Sequence, residues 1–153
     1  MMEIKPLQGI GMIKFGMTEK ELTEVLGDPT NRQSTSFPAN NSESTDLEYA
    51  HLGLRFNLTT ENNLRLESIS INDGGYSLFG EYPIGQEVSF LNKESVKRNM
   101  PDLELEYEYM QPGKDSYYSE EKGVLIYSEG GVITSLVLFP EYDTTGENII
   151  WPG

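Results

Sequence analysis

Apolar and polar positions alternate with a period of two at Leu54, Phe56 and Leu58, interleaved with Arg55 and Asn57. Successive side chains of a strand point to opposite faces, so this spacing predicts a half-buried strand. The turn-forming run Thr59 to Asn63 follows. Leu64 to Ile71 then returns as the second arm of a hairpin that Asp73-Gly74-Gly75 closes. The strictest alternation in the chain, Leu103-Glu104-Leu105-Glu106-Tyr107-Glu108-Tyr109, predicts another strand. A further hairpin is expected from Gly123-Val124-Leu125-Ile126-Tyr127, the turn Ser128-Glu129-Gly130-Gly131 and the return Val132 to Phe139.

The period changes near the N-terminus. Gly9 to Met17 reads as one short strand, and Thr18-Glu19-Lys20-Glu21 then matches a capping box. Leu22, Val25 and Leu26 follow on one helical face, Gly27 supplies the stop and Pro29 prevents continuation. A second helical segment is expected within Val88 to Met100, broken by Pro101. Residues 30–46, rich in Asn, Ser and Thr with Pro38 among them, are expected to form a polar loop or at best frayed edge structure. The tail from Glu141 to Gly153 reads as loose until Ile149-Ile150-Trp151-Pro152, where the only Trp is expected to dock on the body.

The order of elements repeats. Gly53-Leu54-Arg55-Phe56-Asn57 is echoed by Gly123-Val124-Leu125-Ile126-Tyr127 seventy positions later, and Ser68-Ile69-Ser70-Ile71 by Ser135-Leu136-Val137-Leu138 sixty-seven later. Tyr82-Pro83-Ile84-Gly85 stands where Lys14-Phe15-Gly16 stood. Matches in the same order at nearly constant offset suggest an internal duplication, with units at 1–75 and 76–153 in one body. The expected fold class is α+β: an antiparallel sheet with short helices packed on one face, built from two similar tandem units.

Phe15-Gly16-Met17-Thr18 with Glu19, Leu22, Val25, Leu26, Gly27 and Pro29 resembles the opening of a recurring bacterial domain. It is similar to the β-lactamase inhibitor protein and to the outer-membrane assembly lipoproteins of the SmpA/OmlA type. The second half lacks the matching Met-Thr and Gly-x-Pro. The resemblance implies a helical layer across one face of a small antiparallel sheet, two such units in tandem, and a role in binding proteins rather than in catalysis.

Composition sharpens this. Among 153 residues, 25 Asp and Glu stand against 11 Lys and Arg, a formal net charge of −14. Nothing here neutralises a run of phosphates, so neither nucleic acid nor an anionic membrane is an expected partner. A basic protein is. Cysteine is absent, which removes disulfides, thiolate metal sites and cysteine nucleophiles. The start, Met1-Met2-Glu3-Ile4-Lys5-Pro6, has no apolar run behind a basic flank, so a cytoplasmic chain is expected unless a signal sequence has been removed.

Catalytic and metal chemistry find little support. His51 is the sole histidine, and neither Ser42 nor Ser68 sits in a Gly-x-Ser-x-Gly context, so His51 reads as a strand-edge residue. The glycines at 9, 11 and 16 lack dinucleotide-loop spacing. Asp143-Thr144-Thr145-Gly146-Glu147 offers oxygen donors around a glycine, but not at EF-hand spacing, and reads as a turn. No catalytic residue, metal or cofactor is assigned.

The alternating strand is the sharper feature. Asp102, Glu104, Glu106 and Glu108 are expected on one face within about 20 Å, with Leu103, Leu105, Tyr107 and Tyr109 on the other. Only Lys114 and Lys122 lie near in sequence, so neutralisation within the chain is incomplete. Tyr109, Tyr117, Tyr118 and Tyr127 cluster in the same half and suit interface anchors. The expected partner-binding set is Asp102, Glu104, Glu106, Glu108, Tyr109, Tyr117, Tyr118, Glu120 and Glu121.

The function expected from this set is that of an immunity protein. Such a protein binds and inhibits a basic cognate toxin, with a nuclease the leading candidate, in a system of bacterial competition such as contact-dependent growth inhibition. Two alternatives stand beside it. One is an envelope-assembly or enzyme-inhibitor module of the families named above. The other is a hydrolase or small-ligand binder built on a carboxylate pair.

Overall fold

The computed structural model describes residues 2–111 and 113–152, with the backbone alone along 107–111. At the N-terminus, strands β1 (Ile4–Lys5), β2 (Gly9–Ile10) and β3 (Ile13–Lys14) form a small antiparallel sheet. This corrects the single strand expected over 9–17. Gly11, at a φ of 56°, turns the chain so that Ile10 pairs with Ile13.

Helix α1 (Glu19–Leu26) carries the expected capping box. The Glu21 amide donates to Thr18 Oγ1 at 3.2 Å, and the Thr18 amide donates to Glu21 Oε1 at 3.1 Å. Such a cap contributes about 1 kcal/mol. Leu22 is the residue that α1 buries completely, and Gly27 ends the helix at a φ of 80°.

The main sheet has eight antiparallel strands. They are β4 (Asn31–Phe37), β5 (Ser42–Tyr49), β6 (Leu54–Thr59), β7 (Arg65–Ile71), β8 (Glu104–Gln111), β9 (Lys114–Ser119), β10 (Val124–Glu129) and β11 (Val132–Leu138). Their spatial order is β4-β5-β6-β7-β11-β10-β9-β8, two four-stranded meanders that meet at β7 and β11. Over 30–46, β4 is the edge strand of the sheet, the edge structure allowed there, whereas β5 is an interior strand and corrects the expected polar loop. Every residue of β4 is exposed, so it carries no apolar alternation, while Thr45, Leu47 and Tyr49 of β5 are buried. Pro38 sits in the turn between them, where its missing amide costs no ladder bond.

The second helical segment is a 3-10 turn, Val88–Asn92, followed by α2 (Glu94–Asn99). It buries Phe90, Leu91, Val96 and Met100. These join Leu22 and the inward residues of β5, β6, β7, β10 and β11 in one hydrophobic cluster, so both helical segments lie on the same face of the sheet. The tail forms a hairpin, β12 (Glu141–Tyr142) with β13 (Ile149–Ile150), in place of the loose segment expected there. Trp151 packs against the core as expected, with the Arg65 guanidinium 4.6 Å over its ring.

The two meanders share details of register. Both β6·β7 and β10·β11 carry an irregularity, at Asn57/Leu58 and Tyr127/Ser128, seventy positions apart. Gly16 and Gly85 both have a φ of 96°. The Gly16 amide donates to Leu66 O at 2.9 Å and the Gly85 amide to Ile133 O at 2.8 Å, the acceptors being sixty-seven positions apart. Among the described residues, no helix is long and apolar enough to cross a membrane.

Candidate functional site

Alternate residues of the main sheet enter the core, which leaves the others on an open face. In the β4–β7 half that face is polar and satisfied from within. Asn57 Nδ2 donates to Ser44 Oγ and Asp46 Oδ1, each at 2.8 Å, and Arg55 pairs with Glu48 at 2.9 Å. The Thr59 hydroxyl donates to Glu67 at 3.2 Å, and Asn62 donates to the same carboxylate.

The β8–β11 half differs. Its outward positions include Tyr118, Leu125 and Tyr127, joined by Phe139 and Tyr142, and together these floor a groove of about 1070 Å³. Tyr118 meets Phe139 edge to face, with centroids 6.3 Å apart and planes at 88°. Around the floor stand Asp102, Glu104, Glu106, Asp115 and Glu120, with Lys114 as the single cation of the lining. Among the described residues, the ion pairs Arg32–Glu19, Arg55–Glu48 and Lys93–Glu81 all lie elsewhere. The rim is therefore negative over an aromatic surface. The Tyr118 phenol registers this: burial pushes its pKa up, and the charges of Glu120 and Glu106 push it further the same way.

The sequence-selected residues divide. Glu104 pairs with Tyr118 and Glu106 with Ser116 across β8·β9, so the pattern's stripe and one of its tyrosines meet in the groove with Glu120. Asp102 borders the groove but lies before β8, so the expected four-acid strand face is corrected at this end. Its carboxylate accepts the Ser119 hydroxyl at 2.7 Å and the Glu121 amide at 2.9 Å. Burial pushes the Asp102 carboxyl up, but these hydrogen bonds outweigh it and hold the pKa below its ordinary value. Asp102 thus ties β8 to the end of β9.

Tyr117 lies on the opposite face, paired with Leu105 and Ile126 and packed against the core. Burial, then the Asp115 charge, push its phenol up, while the Ser128 hydroxyl offsets part of this. Glu121 is exposed and contributes its amide to Asp102. Glu108 and Tyr109 lie outside the residues whose side chains are described.

Leu125, Phe139, Tyr142 and Ser116 were not singled out by the sequence reading. The available signal was parity: Leu125 and Tyr127 are bulky at the positions that alternate with buried Val124 and Ile126. Ser116, 3% exposed and lining the groove, has a hydroxyl with no hydrogen-bond partner among the described residues.

The other chemistry-bearing positions resolve simply. His51 is exposed in the 3-10 turn Ala50–Leu52, edge-on to Tyr49 at 6.2 Å. Asp143 accepts the Thr145 hydroxyl at 2.5 Å and Asn148 Nδ2 at 2.9 Å, which holds its carboxyl at about 2 and makes the segment an internally bonded turn. Among the described residues, no three His, Asp or Glu side chains gather to hold a metal. No family model, curated protein or solved structure matches the chain.

Proposed function

We propose that the chain is a stoichiometric binding module for a basic protein, acting as an immunity protein that neutralises a toxin domain of a bacterial competition system. The observation that carries this reading is the groove on the β8–β11 half. It combines a Tyr118, Phe139 and Tyr142 floor with the Glu104, Glu106 and Glu120 rim, whose charges enter no ion pair among the described residues. Aromatic rings supply contact area at small entropic cost, and an unneutralised carboxylate rim speeds association with a positive surface. A nuclease suits the role of target, because its active site is built to attract phosphate and a rim of carboxylates mimics that charge pattern. Such a module acts in the cytoplasm and requires neither catalytic residue nor cofactor.

The shared register supports a second part of the proposal, that the chain arose by duplication of a helix-plus-meander unit, with the halves divided near residue 75. The matching φ and hydrogen bonds of Gly16 and Gly85 favour it. It accords with the resemblance to the β-lactamase inhibitor protein, and an envelope-assembly or enzyme-inhibitor module of that type is the reading next in line. A tagged copy tests the function: incubated with extract of the native host, it retains one basic protein in equimolar amount at low salt and suppresses that protein's activity. Retention of only acidic or substoichiometric proteins overturns the reading.

A further inference from the structure

Strand β8 ends the main sheet and pairs with β9 on one side only. An edge strand of this kind presents unpaired N–H and C=O groups to any extended chain that reaches it. Grooves flank it on both faces. On the open face is the acidic groove already described, to which β8 contributes Glu104 and Glu106. On the core face, Leu91, Met100, Leu103, Leu105 and Tyr117, joined by Lys97, line a second groove of about 920 Å³ beside the α2 segment. Glu104 and Leu105 line both. At the other edge of the sheet, every residue of β4 is exposed.

The β8·β9 register shifts between Glu106 and Gln111, so the regular part of this edge is Glu104–Glu106, and a strand laid along it would send alternate side chains into these two grooves. Those on the open face would meet Glu104 and Glu106 beside the buried Ser116 hydroxyl, which has no hydrogen-bond partner among the described residues. Those on the core face would meet Leu103, Leu105 and Tyr117. Charge complementarity makes the first set basic and burial makes the second apolar. We propose that β8 takes an extended segment of the basic partner as a ninth strand, with Lys or Arg alternating with aliphatic residues. This rests on the reading of the acidic groove as the partner site and adds how the partner's backbone engages it.

The test uses the full chain and synthetic peptides followed by fluorescence anisotropy. The probe is an eight-residue peptide alternating lysine and valine, long enough to overrun Glu104–Glu106 at both ends. Its control has the same composition with lysines and valines in separate blocks. Two further versions carry N-methyl groups on either the odd or the even amides. The alternating peptide is expected to bind at least about tenfold more tightly than the blocked one, and one N-methylated version is expected to lose about that factor. Loss of binding by a Glu104→Lys/Glu106→Lys variant places the peptide at β8. Equal binding of the alternating and blocked peptides, indifference to both N-methyl patterns, or no binding of the alternating peptide overturns strand addition. If salt-dependent binding that the double variant abolishes survives such a result, the acidic groove stands as the partner site and strand addition alone fails.

Discussion

Ser70 and Val137 sit directly opposite each other at the junction of β7 and β11, sixty-seven positions apart in the chain. The pairs on either side, Ile71 with Leu136 and Ile69 with Leu138, read the same from either strand under that offset. Ser70 and Val137, equivalent positions of the proposed repeats, thus lie on a local two-fold axis that exchanges the two flanking pairs, and three residue pairs join the halves of the sheet. One hydrophobic cluster also spans both halves. Unfolding in urea is therefore expected as a single transition, coincident by circular dichroism and Trp fluorescence. Two separated transitions would show that the halves hold themselves independently. Val137→Pro, which removes a ladder donor from the interior strand β11, is expected to cost about 1–3 kcal/mol or more.

Ser116 supplies a test inside the groove. A buried hydroxyl without a partner costs about 1–3 kcal/mol, so Ser116→Ala is expected to raise the stability of the free protein, read as a higher urea midpoint. If a bound partner satisfies the hydroxyl, the same variant binds that partner less tightly. A destabilised Ser116→Ala protein would mean that the hydroxyl is bonded in solution.

Five of the eight strands of the main sheet were legible because a period of two runs through their sequence. Leu54, Phe56 and Leu58 could be read directly, as could the capping box at Thr18 and Glu21. β4 could not, because a strand exposed on both faces leaves no apolar trace; its hydrogen bonds to β5 come from pairing alone. β9 was hidden for another reason: Ser116 and Ser119 are buried while Tyr117 and Tyr118 divide between the faces, so polarity does not follow burial. The acidic half of the site was visible in the alternation at Glu104 and Glu106. Its aromatic floor was not, since Phe139 and Tyr142 reach the groove from beyond β11, where no periodicity points to them.

Asp102 should behave as a structural acid. Its carboxyl is held below the ordinary value in the fold, so its contribution is complete above the ordinary carboxylate range and fades as pH falls through the lowered value. Asp102→Asn is expected to lose about 1 kcal/mol at neutral pH. The gap between variant and parent in urea unfolding should narrow as pH falls below the ordinary Asp range. Affinity for a basic partner should change little compared with charge reversal at Glu104, because the Asp102 oxygens already serve Ser119 and Glu121.

Gly16 lies under the tail. At its φ of 96°, a Cβ would come within 3.0 Å of the Trp151 ring and 3.3 Å of Arg65, whose Nε donates to Gly16 O at 2.8 Å. Gly16→Ala combines backbone strain with displacement of the ring and is expected to cost about 1–3 kcal/mol. Trp151 is the only tryptophan, so a red-shifted emission would report its release directly. Unchanged emission and stability would mean that the tail does not rest there in solution.

The most direct measurement is the affinity of the captured basic partner for the parent chain and for a Glu104→Lys/Glu106→Lys/Glu120→Lys variant, each at low and high salt. The parent should bind tightly with a steep salt dependence. The variant, with an unchanged circular dichroism spectrum, should lose about a hundredfold or more at low salt, as three rim charges change from attraction to repulsion. Equal affinity of the two proteins would place the interface away from this groove and contradict the central claim.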